Sequence, residues 1–224
     1  MSGGGTSVEL DVEKVRTGGK WLKWLGFAMI LQFLGYIIVG VLMVFTVYSK
    51  AMELSQQIEA GTITEEEALN QLLAMIKGYL IVFIVIAIIV AIIAVMTGIN
   101  LIPFKDYQIV ITVAGILLII THVIQIVGGV YTIHWISTLT FEDLMNMSAT
   151  MSASPIYSYG SYIGVLTYIL LGLGIYLFGG KYEDYAGVKT PGLLILLGGI
   201  LTFIMIGYIL ILIGLIMAGG RLAK

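Results

Sequence analysis

Cysteine is absent from this 224-residue chain, and charged residues are scarce. The missing thiols exclude disulfides, thiolate metal sites, iron–sulfur clusters and cysteine nucleophiles. Only 11% of the residues are charged while 59% are hydrophobic, whereas a soluble domain carries about 25% charged residues. Too little charge is present to cover a surface that faces water, so a soluble enzyme, a nucleic-acid binder and a disordered chain are excluded. An integral membrane protein remains.

Catalytic signatures are missing as well. The chain has no Walker loop, no Gly-x-Ser-x-Gly and no His-Glu-x-x-His, and its apolar stretches hold no paired carboxylates. Eleven Lys and Arg nearly balance thirteen Asp and Glu, so no net field points to a polyanionic partner such as nucleic acid. We therefore expect neither an enzyme nor a nucleic-acid partner; the expected partners are the lipid bilayer and other membrane proteins.

Five stretches are long and apolar enough to cross a bilayer, since a helix needs about 20 apolar residues to do so. None has Asp, Glu, Lys or Arg in its interior, and none alternates as barrel strands do. The sequence thus predicts an all-α, polytopic helix bundle with about five transmembrane helices. The predicted spans are residues 25–48, 79–102, 108–135, 160–180 and 193–217.

The predicted organisation is a short N-terminal segment followed by one transmembrane domain, residues 21–224. Residues 1–20 are read as a flexible tail and an amphipathic helix at the lipid surface, with a bend at Gly18 and Gly19. Residues 49–78 form a polar hairpin outside the membrane, turning at Gly61. There Thr64 and Glu67 fit a capping box, so one helix is expected from about Ile63 into the second span. A second polar loop, rich in Ser and Met, covers residues 137–159.

Orientation in the membrane follows from Lys and Arg, because these residues accumulate on the cytoplasmic side. If the chain crosses the membrane five times, seven of the Lys and Arg residues lie on the side of the N-terminus and four on the other side. We therefore expect a plasma-membrane protein with a cytoplasmic N-terminus and an extracellular C-terminus. Asn146 begins an Asn-Met-Ser sequon on the predicted outer side, which makes it a candidate glycosylation site.

Polar side chains near the middle of the spans are the candidate site, because ionisable groups at that depth are often functional. Gln32, Thr121, His122 and Gln125 would form either an intramembrane hydrogen-bond cluster or a polar path. Haem ligation within one chain is excluded, since His134 lies on the same helix as His122, about 18 Å away. Only two copies facing each other could pair His122, so we expect no cofactor and no metal.

Glycines mark the predicted helix contacts, because lipid-embedded helices associate where small residues let their backbones approach. In the fourth span, glycines and tyrosines recur at four-residue steps along one face. We expect this face to contact the fifth span, or alternatively to form a seam between copies. The predicted packing residues are Gly160, Gly164, Gly172, Gly207 and Gly214.

Three stretches near the C-terminus resemble an uncharacterised archaeal family of multispan membrane proteins. They are GLGIYLFGGKY at 172–182, TPGLL at 190–194 and GYILILIGL at 207–215, and the short charged helix at 9–16 fits the same family. The resemblance covers the ends of the chain better than its middle. It implies a helical membrane protein of unknown activity from an archaeal plasma membrane.

The expected function is that of a structural or accessory subunit of a membrane complex or homo-oligomer. The alternative is a small channel or transporter for a neutral or weakly polar solute, with His122 and its polar neighbours along the path. A dimeric cytochrome b is a third, more distant class.

Overall fold

The computed structural model describes residues 10–140, 143, 155–202 and 204–224, without the side chains of 155–161 and 205. Within these ranges the regular structure is helical and contains no strand, which confirms the predicted all-α class. The α-helices are α1 (Val12–Glu59), α2 (Glu65–Leu101), α3 (Ile109–Thr138), α4 (Pro155–Lys181), α5 (Lys189–Ile200) and α6 (Met205–Leu222). Two short 3₁₀ helices, Ile102–Asp106 and Glu183–Val188, precede α3 and α5.

Four helices of the described chain are long and apolar enough to cross a membrane. They match the first four predicted spans to within two residues at each start that differs: α1, α2 together with the 3₁₀ turn after it, α3, which begins one residue later than predicted, and the Tyr162–Lys181 part of α4, which begins two residues later. Helix α1 has 48 residues and α2 has 37, so they measure about 72 and 55 Å at 1.5 Å per residue. Both exceed the roughly 30 Å of hydrocarbon, because polar residues extend each helix beyond its apolar stretch.

The fifth predicted span, 193–217, is not one helix, and this part of the prediction was wrong. Helix α5 ends at Ile200 and α6 begins at Met205. The Thr202 hydroxyl donates to the carbonyl oxygens of Gly198 and Gly199, each at 2.9 Å, and so caps the end of α5. Two consecutive glycines weaken a helix at this point. With 12 residues, α5 is about 18 Å long and too short to cross the hydrocarbon layer.

Because α5 and α6 form a hairpin, the C-terminus returns to the start of α1. The Arg16 guanidinium donates to the Lys224 carbonyl oxygen at 2.8 Å. A β-carbon added at Gly19 would lie 2.6 Å from the Leu222 β-carbon and 2.7 Å from the Ala223 nitrogen. The expectation of termini on opposite sides of the membrane rested on five complete crossings, whereas four helices of the described chain are long enough to cross.

The predicted bend at Gly18 and Gly19 is also wrong, since α1 runs through both residues without interruption. Both glycines are buried. A β-carbon at Gly18 would lie 2.6 Å from the Phe104 ring and 3.1 Å from the Asn100 carbonyl oxygen. The pair therefore permits close packing against the end of α2 and the end of α6 rather than a change of direction.

The chain divides into two compact units, which we call the core unit and the hairpin unit. The core unit is Met1–Ile30, Val90–Ile124 and Tyr159–Lys224, and the hairpin unit is Leu31–Ile89 and Gln125–Ser158. The buried apolar cluster of the described residues lies in the core unit; its largest members include Leu22, Leu25, Leu101, Phe104, Ile111, Leu118, Leu171, Ile175, Phe178, Ile195 and Ile211. The buried hydrophobic residues of the hairpin unit are Leu54, Ala68, Leu73, Ile136 and Leu139.

Candidate functional site

The four polar residues predicted as a cluster or path are divided between the two units. Thr121 and His122 belong to the core unit, and Gln32 and Gln125 to the hairpin unit. The His122 Nδ1 lies 2.8 Å from the Leu118 carbonyl oxygen, one turn back on α3. The Gln32 amide donates to the Tyr36 hydroxyl at 2.8 Å, again within one helix. Each side chain thus bonds through one of its polar atoms within its own helix, without a partner from another helix.

The other two members of the set differ from each other. Gln125 is exposed. The Thr121 hydroxyl is buried and has no hydrogen-bond partner among the described residues. An unpartnered buried hydroxyl is uncommon, so it is the one feature here that favours a polar function. That the four residues act together stays a prediction.

The predicted packing glycine of α4, Gly172, lies against α5. A β-carbon added there would lie 2.7 Å from the Gly192 carbonyl oxygen and would overlap the Leu196 backbone nitrogen. The reciprocal test at Gly192 places a β-carbon 2.6 Å from the Tyr176 nitrogen. Only glycine at these two positions permits this distance between the backbones of α4 and α5.

The other predicted packing glycines have different surroundings. Gly207 approaches the carbonyl group of Leu201 in the turn of the hairpin, and a β-carbon at Gly214 would lie 2.6 Å from the Ile195 side chain. A β-carbon at Gly164 meets nothing within 4 Å. Gly160 lies in α4, but its surroundings are outside the described side chains. Whether these glycines drive association in lipid, and whether any forms a seam between copies, stays a prediction.

Two tyrosines converge on Met29 of α1, a contact that the sequence did not reveal. The Tyr208 hydroxyl donates to the Met29 carbonyl oxygen at 3.3 Å, and the Tyr168 hydroxyl donates to its sulfur at 3.6 Å. The predicted neighbour of this face of α4 was the fifth span, whereas the Tyr168 hydroxyl bonds to α1. The sequence signal was the four-residue spacing of Tyr168, which indicates a face of the helix but not the neighbour of that face.

Polar contacts hold together the end of the core unit where α1 begins. The backbone N–H of Asp11 donates to the Tyr107 hydroxyl at 2.9 Å, and the Lys181 ammonium donates to the Tyr107 carbonyl oxygen at 3.1 Å. The Asp11 carboxylate accepts from the backbone N–H groups of Glu13 and Lys14 at the start of α1. These donors, chiefly the backbone N–H of Lys14, lower the pKa of Asp11 below its ordinary value.

The polar hairpin of the hairpin unit has the predicted capping box. The Glu67 N–H donates to the Thr64 hydroxyl at 3.2 Å, and the Thr64 N–H donates to the Glu67 carboxylate at 2.9 Å. Gly61 has a φ of +67°, a conformation that glycine adopts without strain. The bond from the Thr64 backbone lowers the pKa of Glu67 below its ordinary value. The turn at Gly61 and the helix start at Glu65 confirm this part of the sequence interpretation.

Charge is distributed unequally between the units. The core unit contains nine Lys and Arg and six Asp and Glu, whereas the hairpin unit contains two and seven. In the described chain, no group of three or more His, Asp or Glu could hold a metal ion. Asn146 and most of the Ser/Met loop lie outside the described residues, so the glycosylation prediction stays open.

A family profile described as "Protein of unknown function (DUF973)" matches residues 11–222. No curated protein and no solved structure matches the chain. The family match agrees with the resemblance to an uncharacterised family, while an archaeal source stays a prediction.

Proposed function

The chain belongs to the DUF973 family, and for this member we propose a non-enzymatic role as a structural or accessory subunit embedded in the plasma membrane. The observation that carries the proposal is the apolar surface of the hairpin unit. On α1, the exposed fractions of Val44 and Phe45 are 68% and 70%. Many other large apolar side chains of α1 are also exposed. An exposed apolar surface of this kind needs lipid or another protein around it.

The polar groups of the spans support the same role. Gln32 and His122 use their hydrogen bonds within their own helices, as do the hydroxyls of Thr132 and Thr167, bonded to Gly128 and Ile163. Helices whose polar groups are satisfied internally are suited to packing against lipid and protein. A catalytic site would instead direct such groups towards a substrate.

The proposed orientation places both termini in the cytoplasm. Since the C-terminus contacts the start of α1, Arg221 and Lys224 belong to the side of the N-terminus. With four complete crossings, nine of the Lys and Arg residues lie on the side of the N-terminus and two, Lys50 and Lys77, lie on the opposite side. This contrast is larger than the seven against four expected from five crossings, and it points the basic end inward.

Association is tested by extracting the protein in a mild detergent and measuring the molar mass of the particle and its co-purifying proteins. We expect a stoichiometric homo-oligomer or complex. Phe45→Trp, which enlarges an exposed side chain inside the apolar stretch, should weaken the assembly. Met52→Trp is the matched control, because Met52 is 52% exposed but lies outside that stretch. A monomer with no stoichiometric partner would overturn the accessory role.

A small channel or transporter for a neutral or weakly polar solute is the second proposal, favoured by the unpartnered Thr121 hydroxyl beside His122. Buried polar groups without partners in a membrane mark candidate solute paths. The measurement is solute flux into proteoliposomes for wild type and His122→Ala. Flux that disappears in the variant would support transport, and flux equal to the leak of empty vesicles would exclude it for the solutes used.

A further inference from the structure

A groove in the core unit lies where the first apolar stretch begins. Its volume is about 300 Å³, and Lys20, Trp21, Trp24 and Ile93 line it. Three of these residues come from the start of α1 and one from α2. The groove is therefore formed between two helices that both enter the membrane in the proposed arrangement.

The level of the groove in the bilayer follows from one hydrogen bond. The Thr97 hydroxyl donates to the Trp21 carbonyl oxygen at 3.2 Å and to the Ile93 carbonyl oxygen at 2.8 Å. The bond to the Trp21 carbonyl places Trp21 at the same depth as Thr97. Ile93 precedes Thr97 by one helical turn and therefore lies about 6 Å deeper in the apolar stretch of α2. The groove thus runs from the charged level of Lys20 towards hydrocarbon.

The chemistry of the lining changes along this direction. Lys20 is exposed. In the part of the chain that the structure describes, the salt bridges are Lys14–Asp11 and Lys50–Glu53, so the Lys20 ammonium has no carboxylate partner there. Deeper in, Trp24 is 63% exposed and stacks edge-on with Phe27, at 6.5 Å between ring centroids. An amphipathic molecule with a negative head and an apolar tail matches this order.

We propose that the groove binds an anionic phospholipid, with Lys20 holding the headgroup phosphate and Trp21, Trp24 and Ile93 contacting the upper acyl chain. Lys23, three residues further along α1, adds positive charge near the same headgroup level; its ammonium lies 5.8 Å from the Phe27 ring centroid. Indole rings favour the headgroup layer and lysine attracts anionic headgroups, so each element acts in its preferred environment. The inference rests on the membrane embedding proposed above.

The test uses tryptophan fluorescence in vesicles of zwitterionic phosphatidylcholine. In a Trp135→Phe background only Trp21 and Trp24 emit. Lipids with brominated acyl chains quench tryptophans that they contact. We expect brominated phosphatidylglycerol to quench half of the fluorescence at about a fivefold lower mole fraction than brominated phosphatidylcholine. A preference of this size is what the attraction between one lysine and an anionic headgroup supplies.

Variants distinguish lipid binding in the groove from general attraction of anionic lipids to the basic surface of the protein. Lys20→Gln should abolish the preference, whereas Lys105→Gln, which removes an exposed lysine outside the groove, should retain it. Ile93→Phe fills the groove and leaves Lys20 in place, so it should also abolish the preference if the chain enters there. Circular dichroism of each variant checks that the helices persist.

The outcomes distinguish the two proposals. Quenching by neither lipid would overturn the membrane embedding itself. Equal quenching by both lipids would overturn the anionic-lipid site and leave the embedding intact. A preference that persists in Lys20→Gln or in Ile93→Phe would likewise overturn the site.

Discussion

The core unit and the hairpin unit share three helices, yet their helices pack differently. Helices α1, α2 and α3 each contribute one segment to both units, while α5, α6 and most of α4 belong to the core unit alone. Close contacts between helix backbones occur in the core unit, both among the three C-terminal helices and between α2 and α3. Because the segments of α1, α2 and α3 in the hairpin unit are also apolar but lack such contacts, apolar character alone does not give a helix a close neighbour, in agreement with the weak hydrophobic drive between helices in lipid.

Glycine shows the difference most directly. In the core unit, β-carbons added at Gly98, Gly172 and Gly192 would lie within 3 Å of backbone atoms of another helix. In the hairpin unit, a β-carbon at Gly128 meets nothing within 4 Å, and one at Gly129 meets only side-chain atoms, with Ile88 at 3.0 Å. Contact between helix backbones through glycine is therefore found in the core unit, although Gly164 there meets nothing within 4 Å, and not at the glycines of the hairpin unit that the structure describes.

The largest predicted effect comes from adding a methyl group at these two kinds of glycine. Gly172→Ala should destabilise the protein by about 2 kcal/mol or more, because the new atom overlaps backbone that cannot move aside. Gly128→Ala should instead stabilise it by about 0.5 kcal/mol through helix propensity. Unfolding in mixed micelles, followed by circular dichroism, measures both. Equal effects at the two sites would remove the distinction between the units.

Sequence patterns predicted the features that depend on neighbouring residues. The capping box of Thr64 and Glu67 and the turn at Gly61 involve residues a few positions apart, and the first four spans follow from continuous apolar stretches. The break after Ile200 was missed because Leu201 and Ile204 are as apolar as the helices beside them. Hydropathy counts such residues towards a span and cannot detect that the chain reverses there.

Glycine patterns were informative about contact but ambiguous about its form. Gly18 and Gly19 were interpreted as a bend, and they are instead buried contacts of a continuous helix. A residue without a side chain permits both outcomes, and only the position of a distant segment, here Phe104 or Leu222, decides between them. Gln32 and His122 were predicted as polar candidates within the spans, but the sequence did not predict their hydrogen bonds to Tyr36 and Leu118.

A smaller effect is expected at the exposed start of α2 in the hairpin unit, where the capping bonds join residues close in sequence. Thr64→Ala removes the cap of α2 and should cost about 1 kcal/mol. The loss should be confined to the first turns of α2, because this segment is exposed. Amide hydrogen exchange would show faster exchange at Glu67 and Ala68 with unchanged rates in the core unit. Faster exchange throughout the protein would mean that the two units unfold together.

The smallest effect concerns pH. Because the Thr64 bonds lower the pKa of Glu67 in the folded state, the stabilisation is present above the unfolded pKa, near 4.5, and is lost as pH falls through the lower folded value. An NMR titration of the Glu67 carboxyl should give a midpoint below 4.5 in wild type and a higher midpoint in Thr64→Ala. Because the variant keeps the backbone N–H of residue 64, identical midpoints would show that the Thr64 hydroxyl does not bond to the Glu67 carboxylate in solution.

The most direct test of the account is the side of the membrane on which the C-terminus lies. Because the chain has no natural cysteine, single substitutions Lys14→Cys, Lys224→Cys and Gly61→Cys can be labelled in sealed vesicles with a membrane-impermeant maleimide. We expect positions 14 and 224 to react from one side of the membrane and position 61 from the other. Labelling of 224 on the side of 61 would contradict the hairpin of α5 and α6, and with it the return of the C-terminus to the start of α1.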